Sequence, residues 1–155
     1  MSAPRFTRQE NVARQSYRRG IGVTMMAPEN IQAAGRVVEV HVSELVGQAL
    51  DWATWLAVKG EPGEPCRTRK LIFTADRTYW KPSEDWSQGG PLIEANQVSL
   101  HCPQTTDDVW AAWIITNKGE VVKAGETALI AACRAVVAAH LGEAVSVPAE
   151  LVENK

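Results

Sequence analysis

The residues best suited to chemistry crowd one stretch: Tyr79-Trp80-Lys81-Pro82-Ser83-Glu84-Asp85-Trp86-Ser87-Gln88-Gly89-Gly90-Pro91. Adjacent glycines allow backbone conformations that other residues resist, and they let a ligand approach the main chain. Pro91 suits the first position of a helix and predicts a short one over Leu92-Ile93-Glu94-Ala95. Free N–H groups in that first turn would face the glycines and favour a phosphate or carboxylate. Tyr79, Trp80 and Trp86 have the ring area to stack a base, and Arg77 and Lys81 the charge to pair with phosphate. The other reading is a tight structural turn in which Trp86 plugs the core. The segment is not a Walker loop, because it lacks the Gly-Lys-Ser/Thr ending. Nor is it a dinucleotide fingerprint, since no Gly-x-Gly spacing follows a strand.

The candidate ligand-binding set is therefore Arg77, Tyr79, Trp80, Lys81, Ser83, Asp85, Trp86, Gly89, Gly90 and Pro91, joined by Asp51 and Trp52. Asp51 lies one step off the apolar face of a predicted helix, where it would edge a pocket. Its plain alternative is a solvated acid beside a packed indole. The acid pairs Glu84-Asp85 and Asp107-Asp108 have no histidine at ligand spacing, so they read as surface. His41, His101 and His140 are scattered, and His140 falls on the inner face of a predicted helix as a core histidine. No Ser-His-Asp or Cys-His order stands out. The expectation is no catalytic residue, no metal and no cofactor.

The elements that position these residues belong to one modest chain. Its 155 residues suffice for a single domain with a sizeable core. Six Trp stand against two Phe and two Tyr, and all six (52, 55, 80, 86, 110 and 113) lie mid-chain. Such clustering points to one aromatic core or an aromatic-lined pocket. The net charge of −2 is uneven: residues 1–36 hold six Arg against two Glu, and the rest is acidic. An acidic body argues against a nucleic-acid partner. Three cysteines without metal spacing indicate free thiols in a reducing compartment, hence a cytosolic location. No apolar run approaches the roughly 20 residues of a membrane span.

Residues 1–36 read as a basic, disordered extension, with Met25-Met26 a second possible start. The domain occupies 37–155. Residues 37–42 alternate as a strand. Ser43 then caps a helix with Leu45, Val46, Ala49, Leu50, Ala53 and Leu56 on one face, ended by Gly60. Lys70–Ala75 is a strand candidate, followed by an ordered loop over Asp76–Gly90. Val98–Cys102 and Val109–Thr116 alternate as strands, and Asn117-Lys118-Gly119 turns the chain into Glu120–Val122. Trp110 and Trp113 then face opposite ways; if 107–114 is instead a helix, they share a face. Thr127–Leu141 is the clearest helix, with Leu129, Ala132, Cys133, Val136, Val137 and His140 inward and Gly142 as its stop. A strand over Ala144–Val147 ends at Pro148. The fold class is α+β: a small antiparallel or mixed sheet with two main helices, and a flexible N-terminal arm.

Two blocks resemble the NinX-like family of small tailed-phage proteins. One runs Val42-Ser43-Glu44-Leu45-Val46-Gly47-Gln48-Ala49-Leu50-Asp51-Trp52-Ala53. The other joins the Pro82-Ser83 and Asp85-Trp86 steps to Gly89-Gly90-Pro91-Leu92-Ile93-Glu94. A weaker match covers Ala128–Arg134 with Leu141–Val145. The resemblance spans about residues 40–151, and departs where Ala124-Gly125-Glu126-Thr127 replaces a Gly-Pro before the last helix. It implies a phage or prophage accessory role, and brings no enzyme activity. By class analogy, the first expectation is a non-catalytic anti-defence sponge. It would sequester a nucleotide-derived immune signal, of cyclic nucleotide or ADP-ribose type, in a pocket shared within a homo-oligomer. The alternative is a protein-interaction module that inhibits or redirects a host protein, such as a defence component.

Overall fold

Alternating β-branched residues at Val37-Val38-Glu39-Val40-His41 form strand β1 (Val37–His41). It pairs antiparallel with β5 (Ala144–Pro148), Val40 opposite Val145. The computed structural model describes residues 36–60 and 79–153. Residues 1–35 of the expected arm over 1–36, the expected strand Lys70–Ala75 and Arg77 lie outside the described residues.

The first helix begins later than Ser43. His41 accepts from the Ser43 N–H and caps a 3-10 turn over Val42–Glu44. Leu45 and Val46 then run extended, which sinks Leu45 into the core, and α1 spans Gly47–Lys59. Gly47 has a positive φ of 55°, so the helix does not extend backward through it. Val46, expected on the inner face, is exposed. At the other end Gly60 adopts φ 71° and donates to Leu56, the stop its position implies.

Helix α2 covers Trp86–Ala95, followed by strands β2 (Ser99–His101), β3 (Trp110–Thr116) and β4 (Gly119–Gly125). These three strands form an antiparallel sheet in the order β2-β3-β4, separate from β1-β5. The β3–β4 hairpin turns at Asn117-Lys118, with Gly119 at φ 129°. Trp110 faces the core and Trp113 the opposite side, as their three-residue spacing on a strand requires.

Helix α3 (Ala128–Leu141) is capped by the Thr127 hydroxyl accepting from Ile130 N–H at 3.2 Å. One inner face was the expectation; instead the helix is buried almost all round, including Ala128, Ala131, Ala132, Ala135 and Ala138. It runs between α1, α2 and the three-stranded sheet, and its alanines permit that close approach. Gly125 shows how close: a Cβ there would strike the backbone of Ala131. His140 is not a core histidine. It lies exposed in the last turn and meets Asn96 Oδ1 through Nε2 at 2.9 Å. A final turn, α4 (Ala149–Val152), closes the described chain, and Arg36 pairs with Glu153 beside it. Among the described residues, no helix is long and apolar enough to cross a membrane.

Candidate functional site

The segment from Tyr79 to Ala95 is folded onto α1 and α3 by its own polar groups. The Trp80 indole N–H donates to the Asp51 carbonyl at 2.9 Å, and its ring meets Trp55 edge-on at 5.2 Å. Ser83 N–H donates to Asp51 Oδ1 at 2.9 Å. Gln88 works as a clamp: its amide nitrogen donates to the Tyr79 carbonyl at 2.6 Å, and its amide oxygen accepts from Lys81 N–H at 2.8 Å. Lys81 O accepts from Glu84 N–H and Asp85 N–H, which closes the turn before α2.

Asp51 is not a solvated acid. It is 4% exposed, because residues 80–83 cross α1 at that point. Burial pushes its carboxyl up to about 7, opposed by the Ser83 N–H and hydroxyl; Glu84 adds to the rise and Lys81 to the fall. Across α3, burial and then the Asp51 charge raise the Cys133 thiol to about 12, opposed by the Thr54 hydroxyl. Trp52 is packed in the core. Among the described residues, the buried Trp55 indole N–H has no hydrogen-bond partner.

Helix α2 starts at Trp86, five residues before the expected Pro91. Asp85 is its cap and accepts from both the N–H and the hydroxyl of Ser87. Those bonds hold its carboxyl below the usual carboxylate range. Gln88 and Gly89 N–H groups donate to the Asp85 carbonyl. The first-turn donors at 87, 88 and 89 are thus occupied, and a negative charge sits over them. The expected welcome for a phosphate at this helix start does not hold. Pro91 lies in the second turn, solvent-facing, where its missing N–H removes one helical bond.

The two glycines differ. A Cβ on Gly89 would come within 2.5 Å of Leu129 Cδ2 and 2.6 Å of the Pro82 carbonyl, whereas one on Gly90 would meet nothing. Gly89 therefore serves helix packing rather than approach by a ligand. Trp86 does not plug the core; it is 58% exposed. Tyr79 and Lys81 are also exposed, beside the clamp that Gln88 makes. Of the candidate set, Asp51, Trp52, Trp80, Ser83, Asp85 and Gly89 build the scaffold. Tyr79, Lys81, Trp86 and Pro91 face solvent, with Gly90 open beside them.

Sequence reasoning missed two positioning residues. Gln88 carries a signal, since it stands three positions after Asp85 as in a capping box, though its side chain reaches Tyr79 and Lys81 instead. Arg134 carries none: its Nε donates to Leu45 O at 3.0 Å and Nη1 to Ala124 O at 2.8 Å, across three elements. The remaining acids are structural or exposed. Asp108 accepts from Gln104 and Val109 N–H groups, and no metal-holding group of side chains occurs among the described residues.

The family model described as Bacteriophage P22, NinX matches residues 41–140. The chain belongs to the NinX family. The matched span takes in the Asp51–Ser83 latch, the Gln88 clamp and most of α3, so the NinX region is the scaffold just described together with its exposed aromatic face. No curated protein matches the chain.

Proposed function

We propose that this NinX-family chain acts in the bacterial cytosol by protein contact, without chemistry, presenting Trp86 and Tyr79 to a host protein that it inhibits or redirects. The observation that carries the reading is Trp86, an indole 58% exposed at the first position of a helix held at both ends. At one end stand the Asp51–Ser83 and Gln88 bonds, at the other the Asn96–His140 contact. A large aromatic on a rigid element loses little entropy on docking and is the residue type that dominates interfaces. Lys81 and Glu84 flank it with charge of both signs, which suits a polar rim.

The second reading is the sponge for a nucleotide-derived signal. It is favoured by one observation, that two aromatic residues with solvent exposure, Tyr79 and Trp86, accompany an exposed Lys81. The occupied helix start counts against it. One experiment separates the two. Immobilised full chain and its Trp86→Ala variant are exposed to lysate of phage-infected cells, with and without a panel of cyclic nucleotides and ADP-ribose derivatives. Partner capture lost in Trp86→Ala and indifferent to nucleotides supports protein contact. A nucleotide retained by the wild type and released intact on denaturation supports the sponge, and equal capture by both chains sinks the protein-contact reading.

A further inference from the structure

We propose that the outer face of the β2-β3-β4 sheet is the interface of a homodimer, closed by a two-fold axis over Trp113. The inference is independent of the reading of Trp86. Strand alternation sends Trp110, Ala112 and Ile114 toward the core, with Leu100 and Val121 beside them. Ala111, Trp113 and Ile115 therefore point the other way, with Ser99 and His101 of β2 and Glu120, Val122 and Ala124 of β4. A half-buried antiparallel sheet ordinarily alternates apolar-in with polar-out. Here the outward row is itself apolar: Ile115 is 81% exposed and Val122 53%, around the Trp113 ring. Contiguous apolar area of this kind on an outer face marks a contact surface.

The placement of two polar side chains on the face says what covers it. His101 pairs with Ala111, two residues before Trp113 and one strand to one side. Glu120 pairs with Ile115, two residues after Trp113 and one strand to the other side. The two are thus diagonal corners, each about 8 Å from Trp113 from strand spacing and rise. A two-fold axis in the plane of the face, over Trp113 and perpendicular to that diagonal, lays each His101 on the partner's Glu120. The same axis brings Trp113 against its own copy and crosses the strands steeply, as in orthogonal sheet packing. Self-complementarity of this sort is what an isologous interface requires, and a different protein would have no need of it. Within the chain, His101 already lies against the Trp113 ring at 6.2 Å between centroids, so its place in the interface is preset.

Sedimentation velocity on the full chain tests this, with circular dichroism and melting of each variant alongside. The wild type is expected to be dimeric at tens of micromolar, within the range of a modest interface. Ile115→Glu is expected to be monomeric, with a Tm matching that of wild type diluted below its dissociation range. His101→Glu and Glu120→Lys are each expected to weaken the dimer by about tenfold, and the double exchange to restore it. A monomeric wild type overturns the proposal, as does a dimer indifferent to Ile115→Glu. A Tm of Ile115→Glu below that of the diluted, monomeric wild type would mean that the chain's own residues cover the face, and failure of the double exchange to restore would exclude the two-fold described; either result also overturns it.

Discussion

The Ser83 amide donates to the Asp51 carboxylate across 2.9 Å, joining two segments 32 residues apart and sealing the acid from water. Burial outweighs the Ser83 hydrogen bonds and pushes this carboxyl up to about 7, so a substantial share of it keeps its proton near neutral pH. From this bond follows the placement of Pro82, Asp85 and the start of α2.

Stability should fall as pH rises toward neutrality. The Asp51 carboxyl is raised from 3.8 to about 7 in the folded chain, so the folded state binds its proton more tightly than the unfolded state. The resulting stabilisation is fully present below the unfolded value and is lost as pH climbs through about 7. Its size is on the order of a few kcal/mol. Asp51→Asn keeps an oxygen acceptor for Ser83 and cannot ionise. Its Tm is expected to exceed the wild type at pH 8 and to approach it at pH 5. Wild-type and variant melting curves that stay parallel from pH 5 to 8 would contradict this.

Adjacent glycines should respond oppositely to alanine. At Gly89 the new methyl strikes Leu129 and the Pro82 carbonyl, and overpacking of this kind costs about 1–3 kcal/mol. At Gly90 there is open space within a helix, so alanine should stabilise by about 0.5–1 kcal/mol. Urea unfolding of both variants checks the sign, and two changes of the same sign would refute the distinction.

Removing the Gln88 clamp should loosen residues 79–81 while leaving the core intact. Gln88→Ala deletes the bonds to Tyr79 O and Lys81 N–H, each worth about 1 kcal/mol. Hydrogen exchange should quicken at Lys81 and remain unchanged in α3. Unchanged exchange at Lys81 would show that the clamp is not what holds this stretch.

Arg134→Met should destabilise by about 2 kcal/mol, since the Leu45 and Ala124 carbonyls lose their guanidinium donors. Equal stability by chemical denaturation would mean that water replaces both bonds without loss.

Local signals decided what was readable in the sequence. Thr127 and Gly142 bracket α3, Gly60 stops α1, and Asn117-Lys118-Gly119 turns the hairpin, each through a cap or a positive φ set by a few neighbouring residues. Tertiary packing decided what was not. Gly89-Gly90 reads as the end of an ordered loop, yet both are helical, and Gly89 packs where a Cβ would strike Leu129. Asp51 reads as a pocket edge or a solvated acid because Ser83, which buries it, lies 32 positions on. His140 keeps the inward spacing of α3 but falls beyond its packed length, where Asn96 meets it. The candidate stretch 79–91 was legible as a unit, while the division between scaffold and exposed face required the fold.

Hydroxyl-radical footprinting of the six tryptophans, read by mass spectrometry with and without the captured partner, addresses the role of Trp86 most directly. In the free chain Trp86 should oxidise far faster than the buried Trp52 and the half-buried Trp80, and the partner should protect Trp86 and Tyr79 with little change at Trp52. Strong protection of Trp86 in the free chain, or a complex that leaves Trp86 as reactive as before, would contradict its assignment as the contact residue.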